Sequence, residues 1–385
     1  MKIKFYSGLV LTGILCALCF AFRPIGMSGF AGATEDSLSM YSRFDFIPGE
    51  ELIYVEDFAQ DLLGELPQGW NTTGTAELKK RGNTHWLKLE QDAFFISSNA
   101  ESFTENFTVE FDVLLDYTFE NAFYPVFSFG LLSSESYPTN SNQVLSEYYM
   151  LPYTKVDWMV ATEGYSLCRF GSFQGGAQYL NTGEQSLSTI ENRLKKVIHV
   201  SMQGQKERLR IWMDEEKIYD LPRAIPTGVI FNQLFFEVGS SSYESDQLGI
   251  YVSNFHIAKG QNQLLRDLNE KGKWVCHAIQ FHTGSSKLLP ASYPILKQVS
   301  EVLTAHPDWN LTIIGHTDSD GNPELNQKLS EARSQEVSKA LNTHFNISTK
   351  RMITKGLGSS EPLMPNTGAK EKAQNRRVEF IITKP

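Results

Sequence analysis

The densest run of chemically active side chains is GHTDSDGNPELNQKLSEAR, Gly315 to Arg333. His316, Asp318 and Asp320 alternate as H-x-D-x-D, and Asn326 and Arg333 follow. A calcium loop starting at Asp318 needs a turn glycine at its sixth position and a glutamate at its twelfth, and Pro323 and Leu329 stand there. A transition-metal site needs a further histidine or carboxylate at helical spacing, which the stretch does not offer. A hydrolase needs an activated nucleophile beside its base. Neither a GxSxG elbow nor an activated cysteine accompanies His316. No metal, cofactor or catalytic residue is therefore assigned. Recognition fits the residue types better. Asn326, Ser330 and Arg333 fall at i, i+4 and i+7, one polar stripe on a helix, beside an apolar stripe of Leu325, Leu329 and Ala332. Asp318 just before that helix can meet an ammonium, and Arg333 can grip a carboxylate with its planar fork. The ligand that satisfies both is a zwitterionic amino-acid head group. A second reading stands beside it: Asp318 caps the turn and Arg333 pairs with Asp318 itself.

The elements around this stretch position it. NLTIIGH reads as a buried strand, Pro323 sits where a first-turn proline belongs, and PELNQKLSEARSQEVSKALNTHF runs as a helix of about six turns. KWVCHAIQF is an alternating strand with Val275, His277, Ile279 and Phe281 on one side. SYPILKQVSEVLTAH has helical spacing, and RMITKGLG and RRVEFIIT are strands, with a loop holding Pro362 and Pro365 between them. The β-α-β-α-β-β order predicts an α/β domain over 273–385, its helices covering one face of a mixed sheet. Upstream, 46–260 is rich in short alternating strands such as FTVEFDVLL, KKVIHVSMQ and QLFFEVG, which predicts an all-β antiparallel sandwich. NQLLRDLNEKG, in 261–272, reads as a linker or short helix.

The chain has 385 residues, enough for more than one core. Its formal net charge is −9. Residues 271–385 hold eleven Lys and four Arg against three Asp and seven Glu, a net of +5 that leaves −14 on residues 1–270. A basic domain behind an acidic one points to an anionic partner for the former, or to an ordinary solvated surface. MKIK followed by FYSGLVLTGILCALCFAF and AGA at Ala31 to Ala33 reads as a signal peptide over 1–33, cut after Ala33 or after Ala21. Residues 34–45 then form a flexible mature N-terminus. Leu15 and Leu18 precede Cys16 and Cys19, so no lipidation signal is expected. Without the signal, Cys168 and Cys276 remain, one per domain, and are expected unpaired.

GHTDSDGNPELNQKLSEAR, GLGSSEP and NRRVEF, in that order, resemble the OmpA-like peptidoglycan-binding domain over about residues 272–383. The resemblance implies a non-catalytic domain that binds the diaminopimelate of the peptidoglycan stem. It implies ligand-binding roles for Asp318, Arg333, Asn326 and Arg376. Diaminopimelate ends in an amine and a carboxylate on one carbon. The sequence departs from the family at His282, where an aspartate usually follows the phenylalanine, and at Glu371 and Lys372, where a Gly-Arg or Gly-Lys pair is usual.

FxxDxLGxLPxGW, Phe58 to Trp70, resembles the laminin-G/concanavalin-like jelly rolls that precede such domains in Bacteroidetes-type envelope proteins. That resemblance implies a glycan- or protein-binding module, with a wall-anchored glycan hydrolase as the alternative. The hydrolase pattern needs paired carboxylates along one strand. Here Glu110 and Asp112 are followed by Leu114 and Leu115, so the two acids read as the solvated face of a strand. Trp70, Trp86, Trp158 and Trp212 could stack on sugars and read more readily as core. The expected partner is peptidoglycan, with a glycan or outer-membrane protein for the sandwich and no nucleic acid. The expected location is the periplasm, against the outer membrane or wall.

Overall fold

The computed structural model describes residues 44–385 apart from 100, 118–122, 135–136, 139 and 261–263. The expected signal peptide lies outside the described residues. Of the segment expected to be flexible, Phe44 and Asp45 are described, and Phe44 packs edge-on against Trp212 with ring centroids 6.4 Å apart.

Fifteen described strands precede residue 260. They are β1 (Glu51–Glu56), β2 (Asn71–Thr72), β3 (Ala76–Arg81), β4 (Thr84–Leu89), β5 (Ala93–Ile96), β6 (Asn106–Tyr117), β7 (Phe127–Leu132) and β8 (Tyr153–Met159). After these come β9 (Leu167–Gln174), β10 (Ala177–Ser186), β11 (Val197–Gln205), β12 (Arg208–Met213), β13 (Glu216–Leu221), β14 (Gln233–Val238) and β15 (Leu248–Lys259). One antiparallel sheet runs β13-β12-β11-β6-β15-β4-β3, with β1 also on β15; the other runs β10-β9-β8-β7-β14-β5-β2. A short helix α1 (Asn142–Glu147) lies against β2 and β5 of the second sheet. The inward faces share one core, in which Val109, Phe111 and Val113 of β6 meet Phe127 and Phe129 of β7 and Phe236 of β14. Trp70, Trp86, Trp158 and Trp212 are all buried, so they act as core. Burial of rings this large is worth a few kcal/mol each, at ~25 cal/mol per Å².

β6 departs from ordinary alternation. Thr108, Glu110 and Leu114 on its outer face are buried along with Val109, Phe111, Val113 and Leu115 on its inner face. The expectation that Glu110 and Asp112 lie on a solvated face is overturned: Glu110 is 3% exposed. The physical reason is the C-terminal domain, which docks on that outer face; Gln280 Nε2 donates to Glu110 Oε2 at 3.1 Å.

The C-terminal domain holds α2 (Leu264–Lys271), β16 (Lys273–Cys276), α3 (Tyr293–Ala305), β17 (Asn310–His316), α4 (Pro323–Phe345), β18 (Met352–Gly358), α5 (Ala369–Asn375) and β19 (Val378–Thr383). The sheet order is β16-β19-β17-β18, and β17–β18 is its parallel pair. A multi-sheet, mostly antiparallel region thus precedes a mixed sheet with helices. Of the two readings of 261–272, the short helix is the one found: α2 buries Leu264 and Leu268 in the C-terminal core. Two local expectations need correction. The loop before the last strand contains α5, because AKEKAQN is made mostly of good helix formers. β16 stops at Cys276, where its ladder with β19 ends. Its inward residues are Trp274 and Cys276 rather than Val275. Cys168 and Cys276 are free and buried.

Candidate ligand-binding site

α4 starts with Asn322, whose side chain accepts from the backbone N–H groups of Glu324 and Leu325, and with Pro323 in its first turn. It ends at Asn346 in the left-handed conformation, φ 58°. The first half of α4 sits directly on the strands. A Cβ on Gly315 would stand 2.3 Å from the Ser330 carbonyl, and one on Gly356 would stand 2.3 Å from the Glu331 nitrogen. Ser330 Oγ donates to the Gln327 carbonyl and accepts from Gly358 N at 2.8 Å. The buried face of α4 is therefore Ser330, Ser334, Val337, Ser338, Ala340 and Leu341. The stripe of Leu325, Leu329 and Ala332 is not that face, and Leu325 is 64% exposed. Ser330 is structural rather than part of a ligand stripe. Backbone contact this close excludes larger side chains, which is why the apolar pattern of α4 is weak.

This packing fixes the loop before α4. Thr317 N donates to the Gly358 carbonyl at 2.9 Å. Asn326 Nδ2 donates to the carbonyls of Asp318 and Asp320, at 3.3 and 2.8 Å, so Asn326 braces the loop from within. Asp318 Oδ2 accepts from Arg376 Nη1 at 2.7 Å, and Asp318 Oδ1 accepts from Asp320 N at 3.2 Å. Asp320 takes Asn366 Nδ2 on one oxygen and Lys372 Nζ on the other, both at 2.9 Å. Lys372 thus fills a role that its departure from the family pattern concealed. In NRRV, Arg376 turns to the site, whereas Arg377 is buried and pairs with Glu379 at 2.8 Å.

Arg333 does not pair with Asp318. Its Nε donates to the Ser285 carbonyl at 3.1 Å, and its guanidinium lies over the Phe281 ring, 4.8 Å from the centroid. Its two terminal nitrogens make no hydrogen bond among the described residues. Burial and the neighbouring Arg376 lower its affinity for a proton, while Asp318 opposes them; it stays charged. Two guanidinium groups and one carboxylate leave a net positive charge at the site, with one fork held open by an aromatic face.

His316 is 2% exposed, and neither of its ring nitrogens has a hydrogen-bond partner. Its Nε2 lies 3.5 Å from Glu379 Oε1, and its backbone N–H donates to the Arg377 carbonyl at 3.0 Å. Burial and the charge of Arg377 push its pKa down to about 4 against the pull of Glu379, so the ring is neutral. His277 is likewise lowered to about 4 by burial and by Arg377. His282 is exposed on the rim.

Asp318, Asn326, Arg333 and Arg376 line one cleft of about 1080 Å³ between the two domains. On its other wall stand Glu110 and Asp112, which the sequence suggested as a solvated face, and His199 and His256, which nothing in the sequence singled out. Asp112 Oδ1 meets His199 Nδ1 at 2.8 Å, and Asp112 Oδ2 accepts from Asn254 Nδ2 at 2.6 Å. Glu110 Oε2 meets His199 Nε2 at 3.2 Å. Burial pulls the His199 imidazole down, but its bonds to Asp112 and Glu110 outweigh this and raise its pKa to about 10. His199 is therefore a cation fixed between two carboxylates.

Residues 280–376, which include this arginine–aspartate constellation and the strands and helix that carry it, match the OmpA family. Over 105 residues the chain is 39% identical to the probable lipoprotein YiaD of Escherichia coli (strain K12), covering 27% of this chain and 48% of that protein. Over 104 residues it is 36% identical to the peptidoglycan-binding protein ArfA of Mycobacterium bovis, covering 27% of this chain and 32% of that protein. The chain thus spans half or less of these relatives. Among solved structures, the peptidoglycan-associated lipoprotein of Burkholderia pseudomallei aligns at 27% identity and a TM-score of 0.26, covering 27% of this chain and 88% of that one.

Proposed function

We propose that this is a non-catalytic cell-envelope protein that holds peptidoglycan without a covalent bond through residues 273–385. The ligand is the amine–carboxylate terminus of diaminopimelate in the peptide stem. Arg333 takes the carboxylate with its open fork. Asp318 takes the ammonium on Oδ1 while Arg376 keeps Oδ2. Asn326 holds the loop in shape. The observation that carries this reading is the Arg333 guanidinium, stacked on Phe281 with both terminal nitrogens free among the described residues, in the same cleft as Asp318. A relative named as a peptidoglycan-binding protein supports it. Sedimentation with insoluble peptidoglycan is the test: the parent is expected in the pellet, and Asp318→Ala combined with Arg333→Ala in the supernatant. Equal pelleting of both would refute the assignment.

The region 46–260 is, in this reading, a jelly-roll sandwich of the laminin-G/concanavalin kind, without hydrolytic activity. Glu110 and Asp112 are engaged by His199, Gln280 and Asn254, so neither is poised as the acid or base of glycan hydrolysis. Export to the periplasm and attachment near the outer membrane or wall belong to the same reading, supported by the expected signal peptide over 1–33. No helix among the described residues is long and apolar enough to cross a membrane.

A further inference from the structure

The cleft that holds Asp318 and Arg333 is far larger than an amino-acid head group needs, and a large part of its wall belongs to the sandwich. Strand pairing gathers that part. His199 lies opposite Asp112 across β11–β6, and His256 lies opposite Glu110 across β15–β6. A bulge between Ser253 and His256, with Asn254 at φ 54°, sets the latter register and re-aims the His256 side chain. The four side chains therefore share the face of the sheet that the C-terminal domain covers.

This wall still offers unfilled hydrogen-bond positions. Both oxygens of Asp112 are occupied, by His199 and Asn254. Glu110 uses Oε2 for His199 and Gln280, and its Oε1 accepts no hydrogen bond among the described residues. His256 Nδ1 lies 3.2 Å from the Asn254 carbonyl. A carbonyl only accepts, so Nδ1 carries the proton and Nε2 is left as an acceptor. Across the cleft, Thr317 is 5% exposed and its hydroxyl has no partner, and His277 Nδ1 is buried and unpartnered; both line the same cavity. Buried polar groups are rarely left unpaired. Thr317 and His277 are two such groups, and they line the same cavity as Glu110 and His256, whose Oε1 and Nε2 accept no hydrogen bond among the described residues.

We propose that the sandwich is the second wall of the ligand site: Glu110 and His256 accept hydrogen bonds from the N–H and O–H groups of the ligand next to its zwitterionic terminus. The inference rests on the reading that the terminus itself is held by Asp318 and Arg333. Amides of a peptide stem and hydroxyls of an amino sugar are the donors that an acceptor-rich wall selects. The sandwich then extends recognition beyond the head group, rather than serving as an independent module.

Calorimetry on the full chain with two probes separates the two ideas. Free diaminopimelate reads the head-group site alone, and a disaccharide tetrapeptide carrying diaminopimelate reads the whole cleft. The parent is expected to bind the disaccharide tetrapeptide at least tenfold more tightly. Glu110→Gln and His256→Ala should each weaken that ligand at least fivefold while leaving diaminopimelate within twofold. His256 lies on a bulge outside the His199 cluster, so its variant answers the question even if Glu110→Gln unsettles the domain interface. If both variants bind the disaccharide tetrapeptide like the parent while Asp318→Ala loses it, the second wall is refuted and the head-group site stands. If Asp318→Ala with Arg333→Ala keeps both ligands, the head-group reading fails and takes the second wall with it.

Discussion

Asp318 is paired with Arg376, Oδ2 to Nη1 at 2.7 Å, and not with Arg333 on the neighbouring helix. The two arginines thereby divide the work: one sets the carboxylate, and the other keeps a free fork. The pair is part-buried, with side-chain exposures of 38% for Arg376 and 14% for Asp318, so solvent screening weakens it less than a surface pair.

Replacement of the free fork is the first consequence. Arg333→Lys keeps the charge but cannot grip a carboxylate with two parallel bonds or stack flat on Phe281. Binding of a diaminopimelate stem peptide should weaken by about tenfold or more, corresponding to ~1.4 kcal/mol. Titration calorimetry reads it, and unchanged affinity would show that the fork is not used.

The close approach of α4 to the sheet gives a stability prediction. Gly356→Ala puts a methyl group 2.3 Å from the Glu331 nitrogen, where backbone must move. Overpacking of this kind typically costs about 1–3 kcal/mol. Chemical denaturation followed by circular dichroism should show the loss. A variant as stable as the parent would mean that the helix slides freely.

His199 limits stability on the alkaline side. Its pKa is raised from 6.5 to about 10, so the folded state binds more protons than the unfolded state between those values. The contribution is fully present below pH 6.5 and is lost as pH rises through about 10. It is on the order of 2–4 kcal/mol. His199→Gln should flatten the decline in stability between pH 7 and 10; a decline of the same slope would assign it elsewhere.

His316 and His277 limit stability on the acid side. Their folded pKa values near 4 lie below the ordinary 6.5, so the unfolded state takes up protons first. Stability should fall as pH drops from about 6.5 towards 4, by up to about 3 kcal/mol for each ring. Glu379, Arg377 and Lys273 face His316. His316→Leu removes the titration together with a buried ring whose Nδ1 has no hydrogen-bond partner and whose Nε2 lies 3.5 Å from Glu379 Oε1. It should unfold no more easily than the parent at pH 7 and should lose part of the acid slope. Marked destabilisation at pH 7 would show that the contact between the ring and Glu379 stabilises the fold at neutral pH.

Much of the C-terminal site could be read from the chain. Asp318 and Arg333 sit where a strand-to-helix loop and a helical period put them, and Asn322 and Pro323 mark the helix start. The expected stripe of Leu325 and Leu329 failed because α4 packs through serines onto glycines, a contact between backbones that carries no apolar period. Glu110 failed for a different reason. Alternation along β6 describes one sheet against one core, whereas the burial of its other face depends on a domain more than 150 residues later in the chain (Glu110 and Gln280 are 170 residues apart). The bulge that brings His256 opposite Glu110 left no mark in composition or spacing.

The cleft recognises, in this reading, an amine and a carboxylate on the same terminus. The most direct test is calorimetry of the full chain with the tetrapeptide L-Ala–γ-D-Glu–diaminopimelate–D-Ala against the same peptide carrying lysine at the third position. Lysine keeps the terminal amine and lacks the carboxylate that Arg333 would hold. The diaminopimelate peptide is expected to bind, and the lysine peptide to bind at least thirtyfold more weakly. Equal affinity for the two peptides would contradict this reading.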